Sequence, residues 1–187
     1  AEIVKAFRDQ GHTLIPHKHQ SGGKATTYGI SGNGLNKLLR QRNLIANKHI
    51  PVEVFQWSKA DRLALLQGLM DTDGTCGKNG QVSFTNINQS IIEGCQYLVN
   101  SLGGTYKTYT RRCGTQTLNI RLPDDIQPFR LSREQQYVPV DSIKCMPRRF
   151  IEAVIPHDPV EMVCFKVDAP DSLFAVGKGL ILTHNTE

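Results

Sequence analysis

Two stretches of this chain carry residue types able to make or break bonds. In Leu66-Gln67-Gly68-Leu69-Met70-Asp71-Thr72-Asp73-Gly74 an apolar run stops at a pair of carboxylates. A buried helix ending this way delivers acidic oxygens to the floor of a packed interface, where a hard divalent cation can be held by carboxylate and water. An EF-hand loop would also start with Asp-x-Asp-Gly, but it needs Glu at its twelfth position, which counted from Asp71 is Val82. The second stretch is Gly179-Leu180-Ile181-Leu182-Thr183-His184-Asn185-Thr186. The Asn185 side-chain nitrogen can attack its own carbonyl to form a succinimide and free whatever follows. His184 can polarise that carbonyl or move a proton at neutral pH, and Thr186 supplies a hydroxyl nucleophile.

Both sets of groups need carriers. Ser58 with Asp61 three residues on is close to a capping box. Leu63, Leu65, Leu66, Leu69 and Met70 then leave the next segment apolar on nearly every side, so a buried helix is expected to present Asp73. Gly68 within it costs about 1 kcal/mol against Ala, which makes sense if a second helix approaches at backbone distance. Upstream, residues 1–10 read as a helix with Ile3, Val4 and Phe7 on one face, stopped by Gly11. Residues 13–19 and 25–31 read as a hairpin around Ser21-Gly22-Gly23-Lys24, and residues 34–44 as a helix. Downstream come a strand at 81–86, a helix at 89–102 closed by Gly103-Gly104, a strand at 105–111, a turn at 113–116, a strand at 117–122 and a linker-like stretch at 123–136. Residues 162–168 alternate as a strand and 172–176 form another short apolar stretch. The order helix, strand, strand, helix thus occurs nearly once in full and once in its later half, a weak internal repeat.

The 187 residues carry a net charge of +5, a sign that suits phosphate. Lys107, Arg111, Arg112, Arg121, Arg130 and Arg133 gather around Tyr106, Tyr109 and Phe129. Strands presenting Arg and Tyr on one face can lie in a major groove as a β-ribbon, and a solvated sheet face would show the same pattern. The five cysteines (Cys76, Cys95, Cys113, Cys145, Cys164) are odd in number and widely spaced, without Cys-x-x-Cys, as in a reducing compartment. No signal-peptide pattern and no apolar run of membrane length occurs, so a soluble cytoplasmic protein without a membrane partner is expected. His17 and His19 read as surface residues rather than metal ligands, because no further ligand is spaced to join them.

Residues 66–74 resemble the LAGLIDADG motif of homing endonucleases through Leu66, Gly68, Leu69, Asp71, Asp73 and Gly74, with Met70 a conservative match. The resemblance implies an α+β fold in which residues 1–136 are the C-terminal part of such an endonuclease, an αββαββα half preceded by the end of another half in residues 1–50. Single-chain members have two motifs, whose helices pack together and place one acid from each over the cut site. With one motif here, the resemblance makes Asp73 a catalytic acid and metal ligand and implies Mg²⁺ as cofactor. It implies double-stranded DNA as partner, held through Lys107, Tyr109, Arg111, Arg112 and Arg121. Lys48, in Lys48-His49-Ile50-Pro51, matches a lysine-x-Ile-Pro block between the two motifs of intein endonucleases and is by that match the catalytic lysine. The corresponding place in the second half, three residues before Pro139, is Gln136, a departure.

Residues 137–185 resemble the C-terminal splicing blocks of an intein. They imply closing β-strands of a HINT fold, with His184, Asn185 and Thr186 as catalytic residues, no cofactor for splicing, and residues 186–187 as the first of the host protein, or extein. Ser172 stands where inteins usually place a histidine two residues before the Phe, and Cys164 where they often place an aspartate. The N-terminal Cys or Ser and the Thr-x-x-His block that activates the first bond are not in this chain, so a complementary N-terminal intein fragment is an implied partner, as in a split intein or one cut for study. The function expected is self-splicing combined with site-specific, metal-dependent DNA cleavage, the isolated chain being incomplete for both. The alternative is a LAGLIDADG-type DNA-binding protein with neither activity, which would have no reason to carry a cyclising Asn185 before Thr186.

Overall fold

The computed structural model describes residues 2–17, 26–32, 34–139 and 148–184. They fall into two compact units, Ala1–Pro51 and Val52–Glu187.

The first unit runs α1 (Glu2–Asp9), β1 (Thr13–His17), β2 (Thr27–Ser31) and α2 (Leu35–Gln41). Gly11, at φ 79°, ends α1 by turning its N–H onto the Arg8 carbonyl, a left-handed conformation that glycine adopts without a Cβ penalty. β1 and β2 pair antiparallel with Thr13 opposite Ser31 and His17 opposite Thr27, as the hairpin pattern implies. The expected turn at Ser21-Gly22-Gly23-Lys24, and His19, lie outside the described residues. No described side chain of this unit is buried, because a two-stranded hairpin with two short helices has too little apolar area to close a core.

The second unit opens with a single 3₁₀ segment, Val52–Gln56, and continues α3 (Lys59–Asp73), β3 (Gly74–Cys76), β4 (Val82–Asn86), α4 (Gln89–Ser101), β5 (Thr105–Thr110), β6 (Gln116–Arg121) and α5 (Ser132–Gln135). The order from α3 to α5 is αββαββα, and the first unit repeats its later part. β3, β4, β6 and β5 form one antiparallel sheet in that spatial order. Its pleat puts Val82, Phe84, Leu118 and Ile120 on one face, all buried, against Ile92, Cys95, Leu98 and Val99 of α4. Val54 of the 3₁₀ segment is buried as well, and the Phe55 ring lies 3.9 Å from that of Tyr97. A terminal hairpin, β7 (Phe174–Val176) and β8 (Ile181–Thr183), completes the unit.

Three expectations need correction. Residues 123–136 are not a linker: Pro123, Ile126, Pro128, Phe129 and Leu131 are buried. Gln67 Nε2 donates to the Gln127 carbonyl at 2.8 Å, and the segment ends in α5. The polar, Pro-containing sequence hides apolar anchors at irregular spacing, which no helical or strand period reveals. Phe129 is fully enclosed, so Phe129→Ala should lower the unfolding free energy by about 3–5 kcal/mol in urea titrations; a linker residue would change it by less than about 0.5 kcal/mol. Second, residues 162–168 form no strand. Alternation specifies a face but makes a strand only with a continuous backbone ladder, and Met162 and Val163 stay exposed. Third, α3 is not buried on nearly every side. Only Leu66 and Met70 are enclosed, Leu63, Leu65 and Leu69 are half-buried, and a Cβ placed on Gly68 would meet no described atom within 4 Å.

Candidate functional site

The start of α3 follows its sequence signal. Ser58 Oγ accepts the Asp61 N–H at 3.2 Å and donates to Asp61 Oδ2 at 2.6 Å. At the other end the chain passes from helix into strand with no intervening residue. Gly74 makes this possible, because a Cβ there would sit 2.5 Å from the Met70 carbonyl oxygen and 2.8 Å from its Cα. The two acids of the motif are thereby separated in role. Asp71 Oδ1 accepts the backbone N–H groups of Arg130 at 3.0 Å and Leu131 at 3.1 Å, so this carboxylate holds down the segment leading into α5. Arg130 Nε donates to Gln67 Oε1 at 2.9 Å, which fastens the same segment to α3.

Asp73, the last residue of α3, is exposed. Its Oδ2 accepts one hydrogen bond, at 2.9 Å from Asn86 Nδ2. Asn86 is itself oriented by the Asn88 N–H, which donates to its Oδ1 at 2.8 Å. Sequence reasoning missed Asn86. Its only signal is position: alternation along β4 puts it on the same face as Val82 and Phe84, where an apolar residue would otherwise stand. An exposed carboxylate with one oxygen fixed by an amide suits a hard divalent ion as a single ligand. Among the described residues, no group of three or more His, Cys, Asp or Glu side chains is placed to complete a metal site. Lys48 is exposed in the first unit, beside His49, whose Nδ1 lies 2.9 Å from the Asn47 carbonyl.

The residues expected at DNA divide by position. Strand register places Lys107 opposite Asn119, Tyr109 opposite Thr117 and Arg121 opposite Thr105, so Lys107, Tyr109 and Arg121 share the sheet face turned away from α4. That face is otherwise lined by short polar side chains, with Thr85 and Thr117 hydroxyls 3.0 Å apart across β4 and β6. Tyr109 is 53% exposed. Arg111 and Arg112 lie beyond β5 in the hairpin turn, where the Arg111 N–H donates to the Thr115 carbonyl at 2.9 Å. A cleft of about 930 Å³ at the other end of β5 and β6 is lined by Lys107, Arg121 and Arg148 together with apolar groups that include Pro139 and Phe150. Arg133 lies 3.5 Å from Glu134.

The cysteines follow their surroundings. Burial pushes the Cys95 thiol up to about 12, and burial followed by the Glu134 carboxylate raises Cys76. Glu134 Oε2 also accepts the Cys76 N–H at 3.0 Å. Cys113 sits at the exposed hairpin tip with Sγ 3.2 Å from Thr115 Oγ1, and that hydrogen bond lowers its pKa. Cys145 lies outside the described residues.

At the chain's end Thr183 pairs with Phe174, and His184 follows directly, exposed. Asn185 and Thr186 lie outside the described residues. Ser172 closes a turn by donating its N–H to the Ala169 carbonyl at 2.9 Å, with φ 55°. Phe174 stacks at a tilt on Phe165, ring centres 4.6 Å apart, so Phe165 packs on the hairpin without entering its ladder.

Residues 60–130 match the family model of a LAGLIDADG-like domain. The chain is similar to the replicative DNA helicase DnaB of Mycobacterium intracellulare, 30% identical over 161 residues that cover 81% of this chain. It spans 28% of that relative's length. Similar solved structures include I-DmoI in complex with DNA and Mn, at 16% identity and a TM-score of 0.46, covering 64% of this chain and 63% of that one. I-DmoI in complex with DNA and Ca is similar at 18% identity and a TM-score of 0.47, covering 66% of this chain and 61% of that one. No described helix is long and apolar enough to cross a membrane.

Proposed function

We propose that this chain is the C-terminal portion of an intein that carries a LAGLIDADG homing endonuclease. It cleaves double-stranded DNA when a second acid-bearing helix is supplied, and releases its C-terminal neighbour by cyclising Asn185. The observation that carries the first activity is the separation of the two motif acids: Asp71 is committed to backbone amides while Asp73 is presented to solvent at the helix end. The match of residues 60–130 to a LAGLIDADG-like domain supports it.

Asp73 would hold a divalent ion, Mg²⁺, which when bound supplies the charge that activates water and stabilises a leaving oxygen. Asn86 engages Oδ2 of Asp73, and the side chain as a whole stays exposed. The open surface at Gly68, with half-buried Leu65 and Leu69 beside it, suits the second helix at close approach. Lys48 is the proposed catalytic lysine, by its match to the lysine-x-Ile-Pro block.

The splicing activity rests on residue types and order. His184 leaves β8 at the end of a paired hairpin, with Asn185 and Thr186 next in sequence. A complementary N-terminal splicing segment, on the same polypeptide or a separate one, would supply the first acyl shift. Similarity to a helicase over 28% of that protein's length supports an element embedded in a longer host protein.

DNA binding is tested first, since it requires neither missing part. The chain should bind duplex DNA with an affinity that falls steeply as salt rises. Lys107→Ala and Arg121→Ala should each weaken binding and reduce the slope of log K against log salt by about one, read by fluorescence anisotropy. A salt-independent affinity, or slopes unchanged in both variants, would reject this face as the binding surface.

A further inference from the structure

We infer that Asn100 and Arg149 are positioning residues for the terminal cleavage, docking the β7–β8 hairpin, and with it His184, onto the C-terminal turn of α4. The inference rests on the splicing reading above for its consequence, but not for the contact itself. Asn100 is the buried polar side chain of the described core, 8% exposed, and a buried amide costs stability unless its groups are satisfied. Both its ends are satisfied by the terminal segment. Nδ2 donates to the Lys178 carbonyl at 3.1 Å, and Oδ1 accepts from Arg149 Nη2 at 2.9 Å. Arg149 Nη1 in turn donates to the Gly179 carbonyl. One guanidinium thus bridges helix and hairpin with two prongs, a geometry the ammonium of lysine cannot reproduce.

The two carbonyls belong to the middle of the turn joining β7 to β8, closed by the Leu180 N–H donating to the Gly177 carbonyl at 3.1 Å. The hairpin needs such an anchor. Its strands have three residues each and bury no side chain, and an isolated two-stranded hairpin is marginal in water. With the turn held on α4 and Thr183 in register with Phe174, the direction in which His184 leaves β8 is set. Because α4 lies within residues 60–130, the link joins the LAGLIDADG-like domain to the segment that performs the cyclisation. In that step Asn185 Nδ2 bonds to its own carbonyl carbon and the bond to Thr186 breaks. A proton from the attacking amide ends on the freed Thr186 amine, and the succinimide stays on the chain.

The test uses the full chain and two readouts. Arg149 is exposed, so Arg149→Ala should leave the chain folded, with a lowered urea midpoint from the Asn100 oxygen it leaves unpaired. It should also make the backbone amides of β7 and β8 exchange with solvent on the order of ten- to a hundredfold faster, as expected for a lost charge-assisted hydrogen bond. Asn100→Ala should do the same from the helix side, and Arg149→Lys should recover part of the protection. Release of Thr186-Glu187, followed by mass spectrometry, should slow in parallel. Unchanged exchange in the hairpin in both Ala variants would overturn the link, and faster exchange with an unchanged release rate would overturn the positioning role. If the wild type releases nothing even with a complementary N-terminal segment, the splicing reading fails; the exchange data then decide the link alone.

Discussion

Asn185→Ala should abolish release of Thr186-Glu187, because it removes the only amide able to attack the Asn185 carbonyl. DNA binding should persist, since Lys107, Tyr109 and Arg121 are strand residues of a sheet whose core is closed by α4. His184→Ala should slow release without eliminating it, by about 10²–10⁴-fold, the range of a positioned acid–base group. Intact mass before and after incubation reads both, as loss of the terminal dipeptide. Release persisting at the wild-type rate in Asn185→Ala would mean that hydrolysis at another bond is being observed. Ligation is the stricter measurement: mixed with a matching N-terminal segment, the wild-type chain should join the flanking sequences and Asn185→Ala should not free the product. Failure of the wild type to ligate when both partners are folded would reject the splicing reading.

The second large effect is at Asp73. In a protein completed by the other acid-bearing helix, Asp73→Asn should abolish Mg²⁺-dependent cleavage of duplex DNA with little loss of binding or stability, because the side chain is exposed and the Asn86 partner can be kept. Asp71→Ala should do the reverse to the fold. It leaves the Arg130 and Leu131 N–H groups without their charged acceptor and should cost about 1.5–3 kcal/mol in urea titrations, the worth of a hydrogen bond to a charged group. The chain without its partner helix should bind but not cut. Efficient cleavage by the isolated chain, or by the completed protein with Asn at position 73, would show that the acid has been placed wrongly.

The amino-acid sequence by itself determined most of the local structure, because the signals act within one element. Ser58 and Asp61 start α3, Gly11 ends α1, Gly103 at φ 80° ends α4, and the alternation through residues 81–86 and 105–122 sets which faces of β4, β5 and β6 are apolar. It also placed the chemical groups, since an acid after an apolar helix and an Asn between His and Thr are defined by order alone. What it could not determine depends on partners distant along the chain. The similar residues Asp71 and Asp73 receive different surroundings only when residues 130–131 and Asn86 are brought to them. Phe129 and Leu131 prove to be core once hydrogen bonds from Gln67 and Asp71 hold their segment on α3, although that segment has no period. Residues 162–168 have the alternation of a strand and form none among the described residues, because the pattern specifies a face while a strand also requires a continuous backbone ladder. Asn100, polar in an otherwise apolar helix face, becomes intelligible only when the Lys178 carbonyl and Arg149 are seen to meet it.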